Sequence, residues 1–163
     1  MRLTLGVFIA MLFAAPAMAA GPIDVCKIVT PAEAAAVLGP LPQQPPAATD
    51  NAGFGMYTCM YIGPAVSGQG AQTKFLRLTV EAGSSKDAAD MTQTDADKRK
   101  ATTALSGVGD AAKRNAAGTF VWAKKGAAYC TAEIANGLPK AQTADSVAAK
   151  LGALCQKVLA AAK

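Results

Sequence analysis

The side chains here that could do chemistry are four cysteines, two glutamates on predicted strands and one glycine-rich turn; histidine is absent. The missing imidazole removes Ser-His-Asp and Cys-His catalysis, histidine general bases and imidazole-ligated zinc at one stroke. Any enzyme would have to run on carboxylates, lysine, tyrosine or a thiolate alone. Cys26, Cys59, Cys130 and Cys155 include no Cys-x-x-Cys spacing, and no histidine is at hand to lower a thiol pKa. Structural disulfides are the better reading. Glu81 and Glu133 fall on the outer faces of different strands, where paired carboxylates at the right separation could hydrolyse a glycoside. Solvated strand glutamates are the commoner case, so no catalytic residue is assigned. Gly107-Val108-Gly109-Asp110 lacks the third glycine of a dinucleotide fingerprint and the Gly-Lys-Ser/Thr of a phosphate loop. It reads as a tight turn in which Asp110 caps the following amides. Nothing in the sequence calls for a metal or a cofactor.

The setting of those cysteines comes from the first residues. Arg2 supplies a positive start, residues 3–15 are almost wholly apolar, and Ala17-Met18-Ala19 is an A-x-A cleavage site. The expectation is a signal peptide over residues 1–19, a single domain over residues 20–163, and a periplasmic or secreted product. An even cysteine count in an exported chain points to disulfides. Cys26 follows Ile23-Asp24-Val25 rather than the small residues that precede a lipid-attachment cysteine. The apolar leader is short for a bilayer span, and no later segment approaches one. Of the 16 basic residues the leader removes only Arg2, leaving a mild excess over 11 acidic residues. No Lys/Arg cluster is dense enough to argue for nucleic acid.

Elements that would position these groups follow from local pattern. Thr30-Pro31-Ala32-Glu33 predicts a capped helix start, and Gly39-Pro40 its end. Residues 40–53 read as a proline-rich loop. Residues 56–62 and 75–82 read as strands, the second alternating Leu76, Leu78 and Val80 inward with Phe75, Arg77, Thr79 and Glu81 outward. Ser84-Ser85 opens a polar helix running to Ala101, with Ala88, Ala89, Met91, Ala96 and Ala101 available to pack and an Asp95–Arg99 i,i+4 pair. Residues 105–112 read as a turn-rich connection. Residues 119–124 and 127–135 form a hairpin with Lys125-Gly126 at its tip, pairing Val121 with Cys130 and Trp122 with Tyr129. Thr143 caps a last helix whose apolar stripe is Val147, Leu151, Leu154 and Val158. The expectation is an α+β domain in αββ-αββ-α order, an antiparallel sheet of about four or five strands backed by helices, with two disulfides.

The inward strand face carries Cys130, and the last helix carries Cys155 beside its apolar stripe, so a bridge there would staple helix to sheet. Cys26 would then join Cys59. Four cysteines allow three pairings, and this is the favoured one. The outward face would carry Phe75, Arg77, Phe120, Trp122, Lys124 and Tyr129. That aromatic surface with basic rims suits a glycan, peptide or partner protein, unless the polar helix covers it.

The residues also form a series: a cysteine before a Thr-Pro-Ala-Glu-Ala helix ending in Leu-Gly, then Cys59-x-Tyr61, Leu-Thr-Val, and Gly-Val-Gly-Asp-Ala-Ala before a hairpin. This series resembles the small extracytoplasmic bacterial domains of unknown function found among actinobacterial lipoproteins and in kinase sensor domains of the PknH type. The resemblance implies an α+β sandwich with disulfides and a ligand- or partner-binding role, and it supplies no catalytic residues. The expected function is therefore an exported, non-enzymatic binding domain for a small ligand, glycan, peptide or envelope protein. The alternative is an inhibitor or accessory subunit of a secreted enzyme or envelope complex, presenting the Lys124-Lys125-Gly126 tip or the proline-rich loop. A carboxylate-based hydrolase is the weaker third option.

Overall fold

Thr30 begins the first full helix as its side chain predicts. Its hydroxyl accepts from the Glu33 amide at 3.3 Å, Glu33 returns to the Thr30 amide at 2.8 Å, and Pro31 fills the first position. In this computed structural model, which describes residues 23–41, 44–66 and 73–162, that helix is α2 (Pro31–Leu38), preceded by a single turn, α1 (Val25–Ile28). Strands β1 (Ala47–Asn51), β2 (Met56–Val66) and β3 (Lys74–Gly83) follow, with a 3₁₀ turn (Ala52–Phe54) after β1. Helix α3 (Lys86–Lys98) leads to β4 (Ala101–Ala104), β5 (Ala111–Asn115), β6 (Phe120–Lys125) and β7 (Ala128–Ala135), and α4 (Ala144–Ala161) closes the chain. The expected signal peptide lies outside the described residues.

The seven strands among the described residues form one antiparallel sheet in the order β1-β2-β3-β7-β6-β5-β4. The class is α+β as expected, but four or five strands in αββ-αββ-α order is corrected to seven. The additional strands are those whose side chains carry no alternating signal. β1 is Ala-Ala-Thr-Asp-Asn, exposed throughout, and it exists because its backbone pairs with β2 from Ala47↔Met60 to Asn51↔Met56. β4 lies on the opposite edge. Helix α3 ends at Lys98 rather than Ala101, because Lys100 turns the backbone left-handed at φ 55°. Ala101 is thereby released to start β4.

The hairpin is also adjusted. Lys125 pairs with Ala128, so Gly126 and Ala127 form the two-residue loop, and Val121 meets Ala132 while Trp122 meets Thr131. Each partner is displaced by two residues from the expected register. A shift of two leaves every side chain on its expected face.

The inner face buries Cys59, Tyr61, Leu76, Leu78, Val80, Val121, Cys130, Ala132 and Ile134 beneath α1, α2 and α4. Val147, Leu151, Leu154 and Val158 of α4 are all buried there, as their spacing predicts. Cys26–Cys59 and Cys130–Cys155 are both formed, with Cα separations of 5.2 and 5.4 Å, and no cysteine is left free. The second joins α4 to β7 at the centre of the core. Helix α2 is tied to α4 by polar contacts: Lys157 pairs with Glu33 at 2.8 Å, Lys150 donates to the Ala36 carbonyl and Gln142 to that of Val37. The Lys157 hydrogen bond, with the Thr30 amide, holds Glu33 below the ordinary glutamate range. Tyr61 donates its hydroxyl to the Val29 carbonyl, and burial in that position pushes its pKa up to about 12. Gly118 permits α4 to approach β6: its φ is 70°, and a Cβ there would sit 2.1 Å from the Ala144 carbonyl oxygen.

Leu151→Ala should cost about 2–5 kcal/mol of unfolding free energy, as deletion of a fully buried leucine does. Urea denaturation monitored by far-UV circular dichroism reads this directly. A loss below about 1 kcal/mol would mean that α4 does not anchor the core.

Candidate functional site

The outward face of β3, β7 and β6 carries the six residues on which the binding expectation rested. Phe120, Trp122 and Tyr129 are 3 %, 1 % and 0 % exposed, because α3 lies across them. Of the two sequence-level alternatives, open or covered, the covered one holds at the aromatic centre. Phe75 and Arg77 lie towards the opposite end of β3 and remain exposed, and Lys124 is half-buried near the hairpin tip. The six do not form one contact surface.

Helix α3 covers large rings with small side chains. Ala88 and Ala89 pack on Tyr129 with Met56 alongside, while Ala96 packs with Ala101 on Phe120 and Trp122. Thr92 lies between these two clusters. Its hydroxyl accepts from the Trp122 indole N–H at 3.3 Å and donates to the Ala89 carbonyl at 3.0 Å. Alanine permits the helix backbone to approach the rings closely, and threonine satisfies a buried donor that alanine would leave orphaned. Gly83 serves the same packing from β3, since a Cβ there would lie 2.5 Å from Tyr129 Cε1.

A charged rim completes the cover. Arg99 pairs with Asp95 at 2.6 Å, as the i,i+4 spacing predicts, and with Glu133, and its guanidinium lies 5.0 Å from the Phe120 ring centroid. Lys113 reaches Asp97 at 3.6 Å. Such partly exposed pairs contribute at most about 1 kcal/mol each. Glu81 accepts a 3.3 Å hydrogen bond from the Tyr129 hydroxyl. Burial raises the Glu81 pKa above the ordinary glutamate range, against the lowering effect of that hydrogen bond. Burial, and next the Glu81 charge, raises that of Tyr129.

These contacts decide the chemistry of the two glutamates. Glu133 is engaged by Arg99 at the end of α3, and Glu81 by Tyr129 across the β3–β7 pairing beneath that helix, so neither flanks an open cleft. Among the described residues, no three His, Cys, Asp or Glu side chains converge as a metal site would require. Asp110 acts differently from its expected local cap. Its carboxylate accepts from the Gly126 amide at 2.7 Å, and its own amide donates to the Lys124 carbonyl at 2.8 Å, which ties the Gly107–Gly109 turn to the hairpin tip. Both glycines of that turn have positive φ, as a tight turn requires.

What the structure opens instead is a groove at the N-terminal end of α3. Gly53, Phe54, Gly55, Ser85, Asp87, Ala88 and Met91 line a cavity of about 390 Å³. Phe54 and Met91 are 61 % and 52 % exposed, although both are large apolar side chains. Sequence reasoning grouped Met91 with the buried alanines of α3. At 3.6 residues per turn, Ala88, Thr92, Ala96 and Ala89 share a narrow arc, and Met91 falls about 60° outside it. That angular offset was the available signal. Phe54 carried none, because it sits between two glycines, after the 40–53 loop and before the 56–62 strand. No protein-family model, curated protein or solved structure matches this chain.

The elevated Glu81 pKa predicts a pH effect of defined sign. The folded chain holds this proton more tightly than the unfolded chain, so the associated stability is complete below the ordinary glutamate range and is lost as pH rises through the folded value. Glu81→Gln stays neutral and keeps an acceptor for Tyr129. Its urea midpoint should therefore gain on the wild type as pH rises towards neutrality. A difference independent of pH would contradict the assignment.

Proposed function

We propose that this chain is an exported, non-enzymatic binding domain of the periplasm or extracellular space. It takes an apolar side chain of a peptide or envelope protein into the groove between Phe54 and Met91. The observation that carries this reading is the exposure of those two residues across one cavity, 61 % and 52 %. Contiguous exposed apolar walls favour association over solvation, and the volume lies within the range of about 300–1,000 Å³ common to ligand sites. Two intramolecular disulfides suit an oxidising compartment. Among the described residues, no helix is long and apolar enough to cross a membrane. The engagement of Glu81 by Tyr129 and of Glu133 by Arg99 favours binding over hydrolysis.

One observation favours a second reading, an inhibitor or accessory subunit. The hairpin tip is pinned from behind by Asp110 and projects Lys125 outward. A pre-ordered basic loop loses little entropy when it inserts into a partner's cleft.

The two readings separate by mutation. The Phe54→Ala/Met91→Ala protein should keep its melting temperature within a few degrees, because both side chains are largely exposed. It should lose a partner that the wild type retains from envelope extract, and its affinity for that purified partner should fall at least tenfold. Retention unchanged by this pair but abolished by Lys125→Glu would replace the groove with the hairpin tip.

A further inference from the structure

The two disulfides close loops of similar length, with sequence separations of 33 and 25. On chain entropy alone the two contribute nearly equally, so loop length does not distinguish them. Their surroundings do. Cys130 and Cys155 are both 0 % exposed between β7 and α4, behind Leu151, Leu154 and Val158. Cys26 is half-buried and lines a second cavity, of about 420 Å³, formed by the α1 turn, Ala48 and Asp50 of β1, and Tyr57 and Thr58 of β2. Cys59, its partner, is 0 % exposed.

We infer that Cys26–Cys59 is a thiol-exchange site, opened by a dithiol from the cavity side while the rest of the domain stays folded. The attacking thiolate forms a bond to Sγ of Cys26, the half-buried cysteine that lines the cavity. The Cys26–Cys59 bond breaks, and its electron pair leaves on Cys59 Sγ, which takes up a proton. The second thiol of the reagent then attacks the mixed disulfide and releases Cys26 as a thiol. The protein disulfide is reduced to two thiols and the dithiol is oxidised to a disulfide. Lys27 lies at the cavity wall and favours an incoming thiolate, while Asp24, which pairs with Lys27 at 3.0 Å, and Asp50 oppose it. The exchange remains local because α1 keeps other anchors: Ile23, Val25 and Val29 are buried, and Val29 accepts from Tyr61. Opening Cys130–Cys155 requires α4 to leave the core, which amounts to global unfolding.

The test uses the intact oxidised protein under native conditions. Dithiothreitol is added, aliquots are quenched by alkylation, and labelled cysteines are mapped by mass spectrometry. Cys26 and Cys59 should be labelled at least tenfold faster than Cys130 and Cys155, with little dependence on low urea, while Cys130–Cys155 opening should accelerate with urea. Glutathione, a monothiol, should be trapped on Cys26 rather than Cys59. Hydrogen exchange of the partly reduced protein should rise over residues 25–29 and stay unchanged over residues 144–161. Simultaneous labelling of all four cysteines with a shared urea dependence would overturn the proposal. So would a glutathione adduct on Cys59, or prior opening of Cys130–Cys155.

Discussion

The antiparallel pairing of β3 with β7, from Arg77↔Ala135 to Gly83↔Tyr129, joins two meanders that lie far apart in the chain. Before it forms, β1-β2-β3 and β4-β5-β6-β7 are separate ribbons, each too small to bury much apolar surface. Once it forms, the sheet has a centre, and both faces acquire a continuous apolar floor. The chain entropy lost in bringing these segments together must be offset by what the helices then bury. Helix α4 answers on one side and α3 on the other.

The two answers differ in kind. Helix α4 brings Val147, Leu151, Leu154, Val158 and Leu159 into the core and adds a covalent link through Cys155. Helix α3 brings alanines and one threonine onto Trp122, Phe120 and Tyr129, with the charged rim of Asp95, Arg99 and Glu133 around it. Mostly aliphatic side chains, with Tyr61, fill volume on the inner face, whereas aromatic rings fill it on the outer face and the helix merely fits over them. The outer cover is therefore thin, and it ends at a groove where Phe54 and Met91 meet solvent. This asymmetry places the proposed contact surface beside the aromatic cluster rather than on it.

Covalent and polar ties are distributed in the same way. Cys26–Cys59 secures the short α1 turn, which has too few residues to be stable on its own. The Glu33–Lys157 pair, Lys150 and Gln142 then dock α2 against α4. Four residues of helix bury little, so the cross-link adds to the anchorage that Ile23, Val25 and Val29 supply. A cross-link there supports the N-terminal edge of the described fold, and one at Cys130–Cys155 supports its centre.

Local signals in the sequence were sufficient wherever a residue's role depends on its near neighbours. The Thr30–Glu33 cap, the α4 stripe, the alternation in β3 and the Asp95–Arg99 pair all follow from spacing and are all present; the cysteine pairing, one of three that the sequence allowed, is the one favoured from the faces the cysteines occupy. β1 and β4 were illegible because an edge strand is held by backbone hydrogen bonds to a neighbour, and its side chains need no pattern; β5, which lies between β6 and β4, is five residues long and starts inside the stretch read as a turn-rich connection. The fate of Trp122, Phe120 and Tyr129 was equally beyond sequence. Whether an aromatic strand face is open depends on where a helix lands, and α3 is placed by the long crossover from β3 at the sheet's centre to β4 at its edge. Composition and spacing settled which residues could pack or cross-link; only the tertiary arrangement decided which of them meet water, because exposure depends on contacts between segments distant in the chain.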